Sequence, residues 1–104
     1  MAKYAIMLTL DADTLSKTYT GNNTLSAYTD IEGTLRGYGF SHKQGSVYFG
    51  DEGVDAVHTV IAAQKLSKKY DWFAPSVKDV RMLRIEEDSD LTVAIRFAYL
   101  ESNK

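Results

Sequence analysis

Residues 3–11 alternate with a period of two, which puts Tyr4, Ile6, Leu8 and Leu10 on one side of an extended strand and Ala5, Met7, Thr9 and Asp11 on the other. The first side is wholly apolar and has to face a core. The second is only half polar, so the reverse side of the sheet is expected to be partly covered as well. A strand with that pattern cannot stand alone, and the rest of the chain must supply its neighbours and a layer to close over it.

Residues 12–23 read as a loop, from Gly21, Asn22, Asn23 and several Ser and Thr. Thr24 then offers an N-cap to a helix whose apolar positions, Leu25, Tyr28, Ile31, Leu35 and Tyr38, recur three and four apart as far as Gly39. Gly33 and Gly37 each cost about 1 kcal/mol against Ala inside a helix, so the helix packs closely there or stops early. Residues 40–49 hold the next strands, with a turn or bulge at Gln44-Gly45, Val47 and Phe49 on one face, and Ser46 and Tyr48 on the other. A second helix is predicted over 53–69, with the stripe Ala56, Val60, Ala63, Leu66 and Tyr70 widened by Val57 and Ile61.

The single proline, Pro75, biases Ala74 away from helix, so 71–76 is read as a turn. Residues 77–86 form the strongest strand, with Val80 and Met82 on one side and Asp79, Arg81, Leu83 and Ile85 on the other. Both sides mix apolar and charged groups, which predicts a central position in the sheet. Beyond Ser89 both periods fit, and a helix capped by Ser89 or Asp90 is preferred.

Strand, helix, strand pair, helix, strand is the order of an α+β domain, a βαββαβ sandwich with a mainly antiparallel sheet and both helices on one face. Its length of 104 residues suits one domain that buries only about two-thirds of its unfolded surface. Pairing with a second copy about a two-fold axis would cover the half-apolar face, and a homodimer is expected.

The chain has no cysteine, which removes disulfides, thiolate metal sites and a thiol nucleophile. Its start lacks a signal-peptide core and no run reaches the ~18 apolar residues of a membrane span, so a cytoplasmic location is expected. Twelve basic against 14 acidic residues argue against a general nucleic-acid binder and leave only a local patch. Lys65, Lys68 and Lys69 suit the solvated C-terminal end of a helix. Asp11-Ala12-Asp13 opens like a calcium loop, but Leu15 and Ser16 stand where an EF-hand needs an oxygen ligand and a glycine. His42 and His58 lack metal-ligand spacing, residues 86–90 read as an acidic turn before a helix, and no phosphate-cradling glycine loop is present. Asn22-Asn23-Thr24 matches a glycosylation acceptor, without consequence in a cytosolic chain.

Gln44-Gly45-Ser46-Val47-Tyr48, then the run from Ser76-Val77-Lys78-Asp79-Val80-Arg81 to Glu86, then Ser89-Asp90-Leu91-Thr92, closely resemble the virulence-associated protein D (VapD) family. Tyr4-Ala5-Ile6, Ala27-Tyr28-Thr29-Asp30-Ile31 and Gly39-Phe40 extend the likeness over most of the chain. The resemblance implies a ferredoxin-like homodimer, related in fold to small CRISPR-associated nucleases, with endoribonuclease activity of the toxin-antitoxin kind and a cognate antitoxin as partner. It also implies roles for Ser46 and Asp79. Family members typically place an aspartate at the end of the first strand, where this chain has Thr9. Asp11, two residues on, either substitutes for it or leaves the site short of an acid.

On that resemblance, Asp79 is the expected base that takes the 2′-hydroxyl proton, with Arg81 or Arg84 steadying phosphate charge. Ser46 would position the phosphate or the attacking hydroxyl, and Tyr48 would donate a proton or stack on a base. A route assisted by Mg held between Asp11 and Asp79 stays open. So does a member that has lost activity with Thr9 and binds RNA or an antitoxin without cutting. Each residue also has an ordinary structural reading: Ser46 bonding backbone at a turn, Asp79 pairing with Arg81 or Arg84.

Overall fold

The computed structural model describes residues 3–19 and 23–102. In chain order the elements are β1 (Lys3–Leu10), α1 (Ala12–Thr18), α2 (Thr24–Arg36), β2 (Phe40–Gln44), β3 (Val47–Gly50), α3 (Ala56–Lys69), α4 (Phe73–Ser76), β4 (Val77–Ile85) and α5 (Thr92–Ser102). The strands form one antiparallel sheet in the order β2-β3-β1-β4, and α2 and α3 cover one of its faces. This is the expected α+β, ferredoxin-like βαββαβ arrangement, with short helices added between its elements.

β1 keeps the pleat its sequence announces. Ile6 and Leu8 are about 1% exposed under the helices, and Ala5 on the reverse side is closed off by its cross-strand neighbours Phe49 and Leu83. Tyr48, opposite Ile6, joins the same core, as do Phe40, Ile31, Leu35, Leu66 and Trp72. Tyr19, Tyr70 and Trp72 close one end of it through edge and stacked ring contacts.

Four expectations need correcting. Ala74 and Pro75 lie in the short helix α4, Phe73–Ser76, where the sequence reading expects a turn over 71–76. β4 is an edge strand and β1 with β3 takes the centre, so the mixed faces of 77–85 did not mean a central position. Within 12–23, the part read as loop contains α1, capped by Asp11 and anchored by buried Leu15; Gly21 and Asn22 lie outside the described residues. Asn23, not Thr24, caps α2, its side chain accepting from Leu25 N and Ser26 N.

Both long helices are also rotated relative to their predicted stripes. α2 buries Ala27, Ile31, Thr34 and Leu35 while Leu25 is exposed. α3 buries Thr59, Ala62 and Leu66 and leaves Val57, Val60 and Ile61 facing outward. Small side chains sit against the sheet because close approach of a helix needs them. α5 is the helix preferred for the tail: Asp90 accepts from Thr92 N at 2.8 Å, and hydrogen bonds from Thr92, side chain before backbone, hold the Asp90 carboxyl below its ordinary pKa.

At the end of β3 the packing leaves no room for a side chain. A Cβ on Gly50 would stand 2.9 Å from Val54 Cγ1 and 3.1 Å from the Tyr4 carbonyl oxygen. Gly50→Ala should therefore cost about 1–3 kcal/mol in urea unfolding, because both neighbours belong to the packed core. An unchanged midpoint would mean that this contact is looser than the geometry states.

Candidate functional site on the open face of the sheet

The face of the sheet away from α2 and α3 carries a polar strip at its β1–β4 end. Cross-strand register pairs Thr9 with Asp79 and Met7 with Arg81, so these four side chains share the open face. Arg81 Nε donates to Asp79 Oδ2 at 2.9 Å. Both partners are well exposed, and such a pair adds only about 0–1 kcal/mol to stability. The fold does not depend on it, which leaves both groups available to a ligand.

The strip ends where β1 ends. The register slips between Thr9 and Leu10, and Asp11 N donates to the Ser76 carbonyl at 2.7 Å as the chain turns into α1. Asp11 thus lies beyond the strand. Its carboxylate accepts from Asp13 N and Thr14 Oγ1, both at 3.1 Å, as the N-cap of α1. The expectation that pleating would aim Asp11 beside Thr9 fails at that slip.

Ser46 sits on the other side of β1, in the β2–β3 turn. Gly45 takes φ +56°, a conformation that favours glycine, and His42 Nε2 bonds the Gly45 carbonyl oxygen. The Ser46 carbonyl accepts from Leu8 N at 3.0 Å and sews the turn to β1. With Lys43, Val47, Phe49 and Asp88, Ser46 lines an open pocket of about 450 Å³. Ser46 and Asp79 therefore flank β1 at two strand spacings, about 10 Å apart. At that spacing the two do not bond each other within one chain.

Two further candidates point elsewhere. Tyr48 faces the helices, is 3% exposed and packs beside the His42 ring, and burial is the main cause that pushes its hydroxyl pKa up. That removes the geometric basis for Tyr48 stacking on a base or giving up a proton. Arg84 stands opposite Tyr4, on the helix side, and bonds Glu86 at 3.1 Å. Of the two arginines, only Arg81 shares a face with Asp79.

Lys43, which sequence patterning did not single out, lies over the Phe49 ring at the edge of the Ser46 pocket. A bulge between His42 and Gln44 puts it there, and no alternation rule could have placed it. Among the described residues, no three His, Asp or Glu side chains converge as a metal site. No helix among them is long and apolar enough to cross a membrane.

No protein-family model matches the sequence. A protein named Endoribonuclease VapD 2, from Riemerella anatipestifer, is 52% identical over 92 residues, covering 88% of this chain and 98% of the relative. An Endoribonuclease VapD homolog from Helicobacter pylori is 45% identical over 93 residues, covering 89% and 96% respectively. The chain belongs to the VapD family. A third relative, Endoribonuclease VapD of Dichelobacter nodosus, is 37% identical over 91% of the chain and 99% of its own length.

In this VapD chain Thr9 is the direct cross-strand partner of Asp79. An acid at position 9 would set two carboxylates roughly 5 Å apart at their Cβ atoms, where like charges oppose each other. One of the pair would then hold its proton to a higher pH. Thr9 removes that conflict and leaves a hydroxyl beside the lone carboxylate.

Asp11 and Asp79 should separate in a stability measurement. Asp11→Ala should lose about 1 kcal/mol with the cap of α1, whereas Asp79→Asn should stay within about 0.5 kcal/mol of the parent, since only an exposed pair is lost. Equal losses for the two in thermal unfolding would contradict the division of roles.

Proposed function

We propose that this VapD chain is an RNA endonuclease and that the strip of Thr9, Asp79 and Arg81 on the open face holds the scissile phosphate. The observation that carries the reading is the Asp79–Arg81 pair, an exposed carboxylate and guanidinium 2.9 Å apart on the side of the sheet opposite α2 and α3. The names of the relatives, which match nearly end to end, support RNA as the substrate.

In the proposed reaction Asp79 accepts the proton of a ribose 2′-hydroxyl. The 2′-oxygen attacks the adjacent phosphorus, the bond to the 5′-oxygen breaks, and that oxygen takes a proton from water. The products are a 2′,3′-cyclic phosphate and a free 5′-hydroxyl. Arg81 exchanges its bond to Asp79 for one to the phosphoryl oxygens as their charge builds. Thr9 can donate to the same phosphate. Ser46 and Lys43, across β1, would hold the neighbouring nucleotide, which fits a separation of about two strand spacings.

A single-stranded RNA substrate suits an open sheet face, where unpaired bases can lie flat. A homodimer, a cognate protein antitoxin, a toxin-antitoxin role and a cytoplasmic location complete the reading, and the family resemblance supports them. Mg is not needed for the base mechanism. It would act, if used, through Asp79 and the phosphate, because the Asp11 carboxylate is engaged in its cap.

Cleavage of labelled single-stranded RNA tests the proposal. Asp79→Asn should lower the rate ~100-fold or more, as loss of a positioned base does, with the melting temperature unchanged. Ser46→Ala should act mainly on KM, since in this reading Ser46 binds the substrate and does not move the proton. Thr9→Asp should raise the rate at its optimum and move the acid limb of the pH profile to higher pH, because one of two facing carboxylates then titrates higher. If the parent and Thr9→Asp both leave RNA intact, with and without magnesium, the nuclease reading is wrong for this chain and a VapD fold that binds without cutting replaces it.

A further inference from the structure

One aromatic ring stands on the open face of the sheet at its β2–β3 end. Phe49 points away from α2 and α3, and its cross-strand neighbours on that face are Ala5 of β1 and Ser41 of β2. Both are small and neither covers the ring, so Phe49 is only half-buried while Tyr48 beside it is closed into the core. The Lys43 ammonium lies 5.6 Å from the centroid of the Phe49 ring. A cation on an exposed ring is held weakly, and a flat group that stacks on the same ring displaces it.

The groups around the ring suit one kind of flat ligand. Phe49, Val47, Lys43, Ser46 and Asp88 share the open pocket of about 450 Å³, which is in the size range of small-molecule sites. Lys43 and Ser46 bring a cation and a hydroxyl, both partners for a phosphate. Asp88, from the loop between β4 and α5, brings a carboxylate to the same pocket. A carboxylate turns a phosphate away but accepts N–H groups, and every nucleobase carries at least one N–H donor on its edge. A nucleotide therefore fits in one direction, with its phosphate at Lys43, its base over Phe49 and the edge of that base toward Asp88.

We propose that Phe49 is the stacking platform for an unpaired RNA base beyond the cleaved linkage, with Lys43 leaving the ring for the phosphate of that nucleotide. The stacking expected of Tyr48 falls to its neighbour, whose ring faces the open side. On β1, Ala5 opposite Phe49 lies four residues before Thr9 opposite Asp79. That offset is about 13 Å along the strand and about 10 Å across it, which puts the ring about 16 Å from Asp79. Phe49 thus acts on binding and takes no part in the proton transfer. The grip tolerates any sequence, because every base has a π-face. The proposal rests on RNA as the ligand and adds to that reading where the strand is held outside the reacting bond.

Binding of a single-stranded RNA methylated at its 2′-oxygens, followed by fluorescence anisotropy on the full-length chain, tests this apart from cleavage. Phe49→Leu keeps an apolar side chain without a ring face and should weaken binding about tenfold or more, whereas Phe49→Tyr should bind like the parent. Lys43→Met, which leaves the ring in place, should weaken binding and reduce the slope of log affinity against log salt by about 0.7, the share of one phosphate contact on a single strand. In cleavage, Phe49→Leu should raise KM for a long oligomer and leave kcat alone, and a dinucleotide too short to reach the ring should be cut equally by parent and variant. Unchanged affinity in Phe49→Leu, or an equal loss on the dinucleotide, overturns the platform while a parent that still cuts RNA keeps the nuclease reading. Binding that depends on Phe49 in a chain that cuts nothing supports the platform and removes the nuclease reading. A parent that binds no RNA overturns both.

Discussion

The backbone pairing of β1 on both of its edges organises the molecule. β1 bonds β3 on one side and β4 on the other, and its Ile6 and Leu8 support both helices from beneath. Truncating either side chain to Ala in such a core costs about 2–5 kcal/mol, a large share of what a small domain has. Because β1 is fixed from three directions, the place where it stops is fixed too. The register slip after Thr9 ends the strand, Asp11 turns the chain into α1, and Thr9 and Asp79 are left side by side at the rim of the open face. The candidate site thus follows from how the central strand terminates.

The sequence carried some of this plainly. Alternation in 3–10 assigned the buried side of β1 correctly, and the same rule sorted 77–85 into the side of Val80 and Met82 and the side of Asp79 and Arg81. Where it misled, parity or size was the cause. Asp11 was placed by counting in twos, and the one-residue slip after Thr9 reverses that answer. On α3 the largest apolar residues suggested the core side, yet Thr59 and Ala62 pack against the sheet because they let the helix come close. β4 looked central because both its sides mix apolar groups with charges. An edge strand bordering an unfilled groove and an open face produces the same pattern.

The family kinship narrows the chemistry but does not single out residues. On the open face, Asp79 is exposed, bonded to a guanidinium and not committed to a helix cap; Asp11 caps α1, and Arg84 lies on the helix side of the sheet. Thr9 beside Asp79 means that the open-face strip carries one negative charge where an acid at position 9 would give two.

The central claim is the location of the RNA site, and amide chemical-shift mapping with a single-stranded RNA methylated at its 2′-oxygens tests it most directly. Such an RNA binds but cannot supply the attacking hydroxyl. The account predicts that the largest shifts fall on Thr9, Asp79 and Arg81, with a second group at Lys43 and Ser46 across β1. Shifts concentrated on the outer sides of α2 and α3, with the open-face strip unmoved, would contradict it.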